Sequence, residues 1–454
     1  MYLKNLITSI ILLISHLIFS QSWVQLTSSA GVTVAPNGPV LSLNTDQVNN
    51  KLYIGGDFHL ATGTSFPNCI VSWDNSAFSA VGSGTYTGSW VNSVQVFNNS
   101  LYAGGNFNDM GGVPNTKWIA KKTGSTWTSI GTGINQYVQA MTVYNGDLIV
   151  AGGNDAGGGP NSERIKKWNG STWSSLGTGI TSSMGSVHAL CVYNGDLYVG
   201  GSFTNAGGVF AFYIAKWNGT TWSALGSGMD NWVNAMAVYN GELYVGGAFT
   251  TAGGATISKL AKWNGTTWSA VPQVSGTIYA LHVFNGELYA GGCFGITGIS
   301  GTNSIAKWDG TNWHAIGNGV MAPSSCGTVL TIATYSNEIY IGGGFNYVGG
   351  GLSYLPFIAK WGYSNPIGIK ENTNNEITHS LTPNPNNGNF KLEMENYNEN
   401  EIIYFYNSLG EIVFLDKIHQ GTNEFNLIGL PKGLYYYKVQ KDNYSTATGK
   451  LLIN

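Results

Sequence analysis

The stretch Leu197-Tyr-Val-Gly-Gly201 decides the fold, because it occurs seven times in closely related form along the 454-residue chain. The first glycine of each pair stands at positions 55, 104, 152, 200, 246, 291 and 342, so successive copies lie 49, 48, 48, 46, 45 and 51 residues apart. This period is typical of a β-propeller, in which each repeat forms one small sheet, called a blade.

Each repeat is predicted to be a four-stranded antiparallel sheet with strands a to d in chain order. In residues 187–227 the segments that favour strands are Val187–Tyr193, Asp196–Gly201, Tyr213–Trp217 and Thr221–Gly226. Asn194-Gly195 separates a from b, and Asn218-Gly219 separates c from d. Asn-Gly favours hairpins because both residues tolerate positive φ. No helical periodicity competes with this interpretation in the repeats.

The Gly-Gly pairs, together with the turn Lys216-Trp-Asn-Gly-Thr-Thr-Trp222 and its copy from Lys262 to Trp268, resemble the kelch-type propeller repeat. They are still more similar to the repeats of fungal cortical cell-polarity marker proteins. The resemblance covers residues 22–362. It implies an all-β protein whose residues 21–362 form a seven-bladed β-propeller, and it says little about function.

The two ends of the repeat region complement each other. The seventh repeat stops after Phe357–Trp361 and lacks strand d, whereas Ser22–Leu26 near the N-terminus has the pattern of a strand d. We therefore expect Trp23–Leu26 to pair with Phe357–Trp361, which would close the ring and leave no unpaired sheet edge between the first and last blades.

Composition excludes several classes of function. Only 9% of the residues are charged, against about 25% in an average globular protein. The net charge is −3 and Arg164 is the only arginine, so no basic surface is available for nucleic acid. The 43% hydrophobic content disfavours disorder. We expect a globular protein with no nucleic-acid partner.

The N-terminal segment predicts export. Residues 1–20 contain Lys4, an apolar run from Leu6 to Phe19 and a small residue, Ser20, at the end. The run is short for a membrane span, so a secretory signal peptide is favoured over an anchor. No later stretch is apolar enough to span a membrane, and we expect no membrane-spanning segment in the mature protein.

Composition changes after Gly362. The last 84 residues hold 10 of the 23 acidic residues. Residues 363–377 read as a polar linker, and residues 378–454 contain six or seven short segments that favour strands, which predicts a small C-terminal β-sandwich.

This C-terminal segment resembles the sorting domain of bacterial type IX secretion substrates. The matching positions are Pro383, Asn384, Pro385, Gly388, Gly410, Gly433, Tyr435, Gly449 and Lys450. The resemblance implies that the signal peptide leads to the periplasm and that the type IX machinery is a partner, which carries the protein across the outer membrane. We therefore expect a secreted or cell-surface protein.

Sequence motifs for catalysis are weak. A sialidase-like site needs an arginine cluster, which one arginine cannot form. A copper site of the galactose-oxidase type needs histidine ligands, but the four propeller histidines, at 59, 188, 282 and 314, fall in different repeats without ligand spacing. Six acidic residues stand at hairpin turns, where solvated side chains are the simplest interpretation: Asp147, Asp196, Glu242, Glu287, Asp309 and Glu338. We assign no catalytic residue, metal or cofactor, although a paired-carboxylate glycosidase site stays open.

A ligand is expected on the face where the variable b–c and d–a connections meet, which we call the loop face. Candidate ligand-binding residues on that face and in the channel are Asp57, His59, Tyr86, Trp90, Tyr137, His188, Asp230, Trp232, Tyr279 and Tyr347. The second residue of strand a should line the central channel, where polar side chains either bind a small ligand or, as we favour, hold water. For the repeated tryptophans we favour packing between blades over a lectin role.

Four cysteines suit an exported protein. Cys69 and Cys191 are expected to be small buried side chains, whereas Cys293 and Cys326 fall on the loop face of adjacent blades and either form a disulfide or remain free thiols.

Together the features of the sequence predict a monomeric, non-catalytic binding or adhesion module for a glycan or a protein. The alternative is a secreted carbohydrate-active enzyme with an acidic site on the same face.

Overall fold

The computed structural model describes residues 21–26, 36–59, 69–85, 88–131, 134–153, 164–181, 185–323, 326–349, 351, 353–363, 379–384, 386–394, 402–406, 412–419, 421–441 and 444–453. All regular elements within these ranges are β-strands. The chain divides into two compact units, residues 1–364 and 365–454. The predicted signal peptide and, apart from residue 363, the predicted linker lie outside the described residues.

In the first unit the described residues form seven four-stranded antiparallel sheets. Blades one to three are β2–β5 (Val40–Asp46, Lys51–Gly56, Ile70–Trp73, Phe78–Ala80), β6–β9 (Trp90–Phe97, Ser100–Asn106, Ile119–Thr123, Thr126–Thr128) and β10–β13 (Val138–Tyr144, Asp147–Gly152, Ile165–Trp168, Trp173–Ser175). Blades four and five are β14, β15, β18 and β19 (Val187–Tyr193, Asp196–Gly201, Ile214–Trp217, Trp222–Ala224) and β20, β21, β24 and β25 (Val233–Tyr239, Glu242–Gly247, Leu260–Trp263, Trp268–Ala270).

Blade six is β26–β29 (Val274–Phe284, Glu287–Ile296, Ile305–Trp308, Trp313–Ala315), and blade seven is β31, β32, β35 and β1 (Thr328–Tyr335, Glu338–Gly344, Ile358–Tyr363, Gln21–Val24). Strands a of neighbouring blades contact each other in a closed ring and surround the channel. Short strands add to the loop face: β16 and β17 (Asn205–Ala206, Val209–Phe210), β22 and β23 (Thr251–Ala252, Ala255–Thr256) and β30, β33 and β34 (Val320–Met321, Tyr347–Val348, Ser353–Tyr354).

The N-terminal strand is the outer strand of blade seven. Gln21 lies opposite Tyr363 and Val24 opposite Lys360, so the ladder begins two residues before Trp23 and ends at Val24 instead of the predicted Leu26. The first and last parts of the repeat region are therefore held together by backbone hydrogen bonds of one sheet.

The repeated Gly-Gly pair has two separate steric causes. A Cβ on Gly246 would lie 2.5 Å from Cγ2 of Ile278 in the next blade, so the first glycine permits close packing between blades. A Cβ on Gly247 would lie 2.0 Å from the carbonyl oxygen of Trp232, so the second glycine permits close approach of strand a. In blade three Ala151 occupies the first position, because it pairs with Ala140 as Gly200 pairs with Ala189. The sequence alignment of that repeat is therefore corrected by one residue.

Tryptophan pairs lie at the contacts between blades. In blades three to six the strand-c and strand-d tryptophans are cross-strand partners, and the blade-four pair, Trp217 and Trp222, has ring centroids 5.3 Å apart. Nε1 of Trp222 donates a hydrogen bond of 2.7 Å to the carbonyl oxygen of Leu176 at the end of the preceding blade. These contacts support the packing interpretation of the repeated tryptophans.

The described residues of the second unit form two sheets. β36, β37 and β40 (His379–Thr382, Asn389–Met394, Gly421–Asn426) form one, and β39, β38, β41 and β42 (Ile412–Lys417, Ile402–Tyr406, Gly433–Lys441, Tyr444–Ile453) form the other. Their shared core contains Phe390, Phe405, Phe425 and Tyr437. This arrangement is a small β-sandwich.

Candidate functional site

Two rings of residues surround the channel at the loop face. The outer ring, which we call the mouth ring, consists of the residue before the repeated Val or Ile of strand a: Pro39, Trp90, Tyr137, Ser186, Trp232, Thr277 and Thr328. The inner ring, the bulge ring, consists of the residue that the a–b ladder skips in each blade: Leu41, Asn92, Gln139, His188, Asn234, Tyr279 and Leu330. A β-bulge re-aims one side chain, so the fold presents seven variable side chains at one level.

The bulge ring has a structural role that the sequence analysis did not anticipate. Nδ2 of Asn92 donates to the carbonyl oxygen of Val138 at 2.9 Å, and Nδ2 of Asn234 donates to the carbonyl oxygen of Ile278 at 3.2 Å. Both bonds join neighbouring blades. These two asparagines therefore hold the ring together, a role that differs from the ligand and water interpretations.

From the predicted ligand-binding set, the structure brings His188 and Trp232 into ring contact. Their ring centroids lie 5.9 Å apart with the planes at 79°, an edge-to-face arrangement. Trp232 is 52% exposed and its amide donates to Oδ1 of Asn231 at 2.8 Å. An exposed indole is thus held on the rigid end of strand a in blade five.

The other predicted residues occupy separate places on the loop face. Asp57 has an exposed side chain, and its backbone amide donates to the carbonyl oxygen of Pro39 at 2.9 Å; the backbone amide of His59 donates to Oδ1 of Asn37 at 2.6 Å. Trp90 and Tyr137, in blades two and three, are half-buried, and Tyr279 in blade six is 36% exposed. The candidate Tyr86 lies outside the described residues.

Asp230 has a structural role as a hydrogen-bond acceptor. Its Oδ1 accepts from the amides of Thr250 and Thr251 at 2.7 and 2.9 Å, and Oδ2 accepts from the Thr250 hydroxyl. Desolvation raises the pKa of Asp230, but these hydrogen bonds outweigh it and hold the pKa below its usual range. A carboxylate kept ionised in this way is a poor general acid.

The acidic residues at the hairpin turns form ion pairs, whereas the sequence analysis expected them to be solvated. In blades three to seven the residue that begins strand b pairs with a strand-c lysine, and the five N–O distances are 2.7–2.8 Å: Asp147 with Lys167, Asp196 with Lys216, Glu242 with Lys262, Glu287 with Lys307 and Glu338 with Lys360. Asp309 pairs with Nε2 of His314 at 2.8 Å. These carboxylates therefore have structural partners within their own blades.

A disulfide joins blades six and seven on the loop face. Cys293 on strand b of blade six is bonded to Cys326 in the loop that enters blade seven, with Cα atoms 5.6 Å apart. Cys69 is a buried free thiol, as expected, whereas the free thiol Cys191 is only half-buried. Among the described residues, no three His, Cys, Asp or Glu side chains are grouped so that they could hold a metal ion.

The sorting-motif residues that the structure describes stabilise the sandwich. The Asn384 side chain donates to the carbonyl oxygen of Lys450 and accepts from the amide of Leu452, each at 2.8 Å, which ties it to the last strand. The Tyr435 hydroxyl donates to the carbonyl oxygen of Pro431 at 2.7 Å. Gly388 and Gly433 have positive φ, Pro383 is exposed, and Gly449 lies in β42. Pro385 and Gly410 lie outside the described residues.

Sequence reasoning missed exposed apolar side chains on the loop-face hairpins. Phe210, Phe212, Met321 and Tyr354 have exposures of 72%, 43%, 39% and 62%. They belong to the b–c and d–a connections, whose strands are too short to show a period. A signal was available, since these large apolar residues interrupt connections that are otherwise rich in glycine and small polar residues.

Family models match both units. The model described as the Rax2 C-terminal beta propeller domain matches residues 21–193 and 178–338, and the model described as the secretion system C-terminal sorting domain matches residues 380–454. No curated protein matches the chain. No helix long and apolar enough to cross a membrane occurs in the part of the chain that the structure describes.

Three solved structures are similar at 13% identity each. The extracellular domain of a putative one-component system from B. thetaiotaomicron covers 96% of this chain and 59% of its own, with a TM-score of 0.47. The computationally designed Ika8 protein covers 92% and 99% with a TM-score of 0.42. PorZ, a surface component of the type-IX secretion system of Porphyromonas gingivalis, covers 93% and 66% with a TM-score of 0.39. The chain thus belongs to the Rax2 C-terminal beta propeller family and carries a type IX sorting domain that directs its export to the cell surface or the surroundings.

Proposed function

We propose that the propeller is a monomeric, non-catalytic binding or adhesion module, displayed outside the cell, that takes a glycan or a protein at the mouth of its channel. Residues 1–20 would start the export as a signal peptide, and the tail would complete it. The observation that carries the proposal is the exposed indole of Trp232, held edge-on by His188 at the end of strand a.

The exposure of Trp232 favours a binding role, because the half of the side chain that faces solvent contributes nothing to packing within the propeller. The tryptophans of strands c and d in blades three to six are mostly covered by neighbouring blades, whereas half of Trp232 faces solvent. Tryptophan on a rigid element is enriched at binding hot spots, since it contributes a large contact area at little cost in conformational entropy. All seven residues of the mouth ring are uncharged, which fits a neutral ligand surface.

The contacts of the carboxylates favour binding over the enzyme alternative. The hairpin-turn carboxylates pair with lysine or histidine, and Asp230 accepts three hydrogen bonds that keep its pKa low. A glycosidase general acid needs a raised pKa instead. The contacts of Asp230 have the opposite effect.

Trp232→Ala tests the proposal, with Val48→Ala as the matched control. Val48 is 77% exposed and lies in the a–b turn of blade one, on the opposite face. The secreted full chain and both variants are applied to a glycan array and, as coated beads, to intact cells. Loss of binding in Trp232→Ala with retention in Val48→Ala is the expected result. Equal binding by all three proteins, or no binding to either surface, would contradict the proposal.

A further inference from the structure

A row of three outward-facing side chains crosses the small sheet of blade seven on the loop face. In the order β30, β33, β34, Met321 pairs with Tyr347 and Tyr347 pairs with Tyr354. Beneath the row, Val320 and Val348 are 1% exposed and anchor the sheet to the blade. The row therefore stands on a fixed base, and we call it the blade-seven platform.

The same positions in blade five show that the fold does not require these side chains. There Met229 bridges Ala252 as Val320 pairs with Val348, so Asp230, Thr251 and Thr256 occupy the places of Met321, Tyr347 and Tyr354. Blade five forms its hairpin with small polar residues. Two tyrosines and a methionine at the equivalent positions thus add exposed apolar surface that this type of hairpin does not require.

The platform has the shape of a notch. The rings of Tyr347 and Tyr354 have centroids 5.5 Å apart and planes at 70°, so one ring forms a wall at a steep angle to the other. Tyr354 is 62% exposed and Met321 is 39% exposed. A face of an exposed tyrosine ring carries the negative side of the ring quadrupole and attracts weakly positive C–H groups.

The segments that form the notch are uncharged. Residues 317–327 and 345–356, which include all three strands of the sheet, contain no Asp, Glu, Lys or Arg. A charged ligand would find no ion-pair partner within these segments. Three side chains are also far fewer than the 20–30 residues per partner of a stable protein–protein interface. The occupant that fits is small, neutral and rich in both C–H and hydroxyl groups.

We propose that the blade-seven platform is a carbohydrate subsite that holds one unit of a neutral polysaccharide. The C–H face of the sugar ring stacks on Tyr354, and sugar hydroxyls exchange hydrogen bonds with the phenol oxygen of Tyr347 at the wall. The disulfide steadies the edge of the platform, because Cys326 bridges Met321. The inference rests on the proposed function and gives it a ligand class and a second position on the loop face.

The experiment titrates the full chain, carrying ¹³C-methyl methionine, with neutral hexasaccharides: cello-, malto-, manno-, xylo- and laminarihexaose. Met321→Leu assigns the Met321 methyl signal among the 8 methionines. We expect at least one hexasaccharide to shift that signal, Tyr354→Ala to weaken its affinity at least tenfold and Tyr354→Phe to preserve stacking. Thr256→Ala, at the equivalent place in blade five, should leave affinity unchanged. Far-UV circular dichroism verifies the fold of each variant.

Absence of a Met321 shift with all five sugars would overturn the inference, as would equal affinities of Tyr354→Ala and the wild type. Loss of sugar binding in Trp232→Ala but not in Tyr354→Ala would also overturn it while supporting the proposed function at the mouth ring. Loss in Tyr354→Ala, combined with an unchanged glycan-array and cell-binding result for Trp232→Ala, would support the platform and contradict the proposed function at the mouth.

Discussion

Trp23 lies directly opposite Trp361, with ring centroids 5.1 Å apart, although 338 positions separate the two residues along the chain. One belongs to the N-terminal strand and the other to the last repeat. A Cβ on Gly317 of blade six would lie 2.2 Å from the Trp361 ring and 2.8 Å from Nε1 of Trp23. The tryptophan pair therefore joins the closing strand to the last repeat and packs against the preceding blade.

Trp23→Ala is expected to destabilise the propeller by about 3–5 kcal/mol, because it removes a large side chain that is 8% exposed and leaves a cavity at the closure. Urea unfolding followed by far-UV circular dichroism measures the change. Trp232→Ala, at a site 52% exposed, is the control and should stay within about 0.5 kcal/mol of the wild type. Equal midpoints for the two variants would mean that β1 does not hold the ring.

Gly342→Ala is expected to destabilise blade seven by about 1–3 kcal/mol through overpacking. Its Cβ would lie 2.4 Å from Cγ1 of Val40 in blade one. Gly344→Ala, two residues along the same strand, is the matched control, because no atom lies within 4 Å of its Cβ and its φ is not in the left-handed region. Thermal unfolding of both variants is the measurement, and a Gly342→Ala midpoint at or above that of Gly344→Ala would be the contrary result.

Sequence reasoning predicted features that depend on local pattern. The repeat, its four strands and the segment near Trp23 that completes the last blade can all be recognised from the alternation of apolar and polar residues and from the turn residues between strands. It failed in blade three, where it aligned Gly152-Gly153 with the other Gly-Gly pairs, whereas the ladder places Ala151 opposite Ala140 and so puts Ala151-Gly152 at that position.

Features that depend on contacts between repeats could not be predicted in the same way. The bonds from Asn92 and Asn234 to neighbouring blades require the exact stagger of adjacent strands a. The pairing of Tyr347 with Tyr354 requires a two-residue strand in a connection, which has no periodicity of its own. Such contacts are set by tertiary packing.

Cys326→Ser is expected to lower the free energy of unfolding by about 3–4 kcal/mol, because the disulfide closes a loop with a sequence separation of 33 residues. Thermal unfolding with and without a thiol reductant is the measurement. The reductant should lower the wild-type midpoint towards that of Cys326→Ser, and Cys191→Ser, which replaces a free thiol, should respond to the reductant as the wild type does. Two free thiols at 293 and 326 in non-reducing mass mapping would contradict the prediction.

Deletion of residues 378–454 is expected to leave the propeller in the periplasm, because the sorting domain matched over 380–454 would no longer reach the type IX machinery. Immunoblots of periplasm, cell surface and medium measure the distribution. Asn384→Ala gives a graded version, since it removes the bonds to Lys450 and Leu452 and should reduce export in proportion to unfolding of the tail. Undiminished secretion of the deleted form would refute the dependence.

Acidification should destabilise the propeller through His282, whose burial lowers its pKa from 6.5 to about 4. Its Nε2 lies 2.7 Å from the Thr334 hydroxyl oxygen of the next blade. Between pH 6.5 and 4 the unfolded chain binds the proton and the folded chain does not, so stability falls as the pH falls through that window, by about 3 kcal/mol. Below pH 4 this contribution changes no further.

His282→Gln should flatten that part of the pH profile, whereas Thr256→Ala, which replaces an exposed residue without a titratable group, should keep the wild-type slope. Urea midpoints at pH 7, 5.5 and 4 give the three slopes. The carboxylates are the same in all three proteins, so the difference between His282→Gln and the wild type isolates the buried imidazole, and parallel profiles would assign the acid sensitivity to other groups.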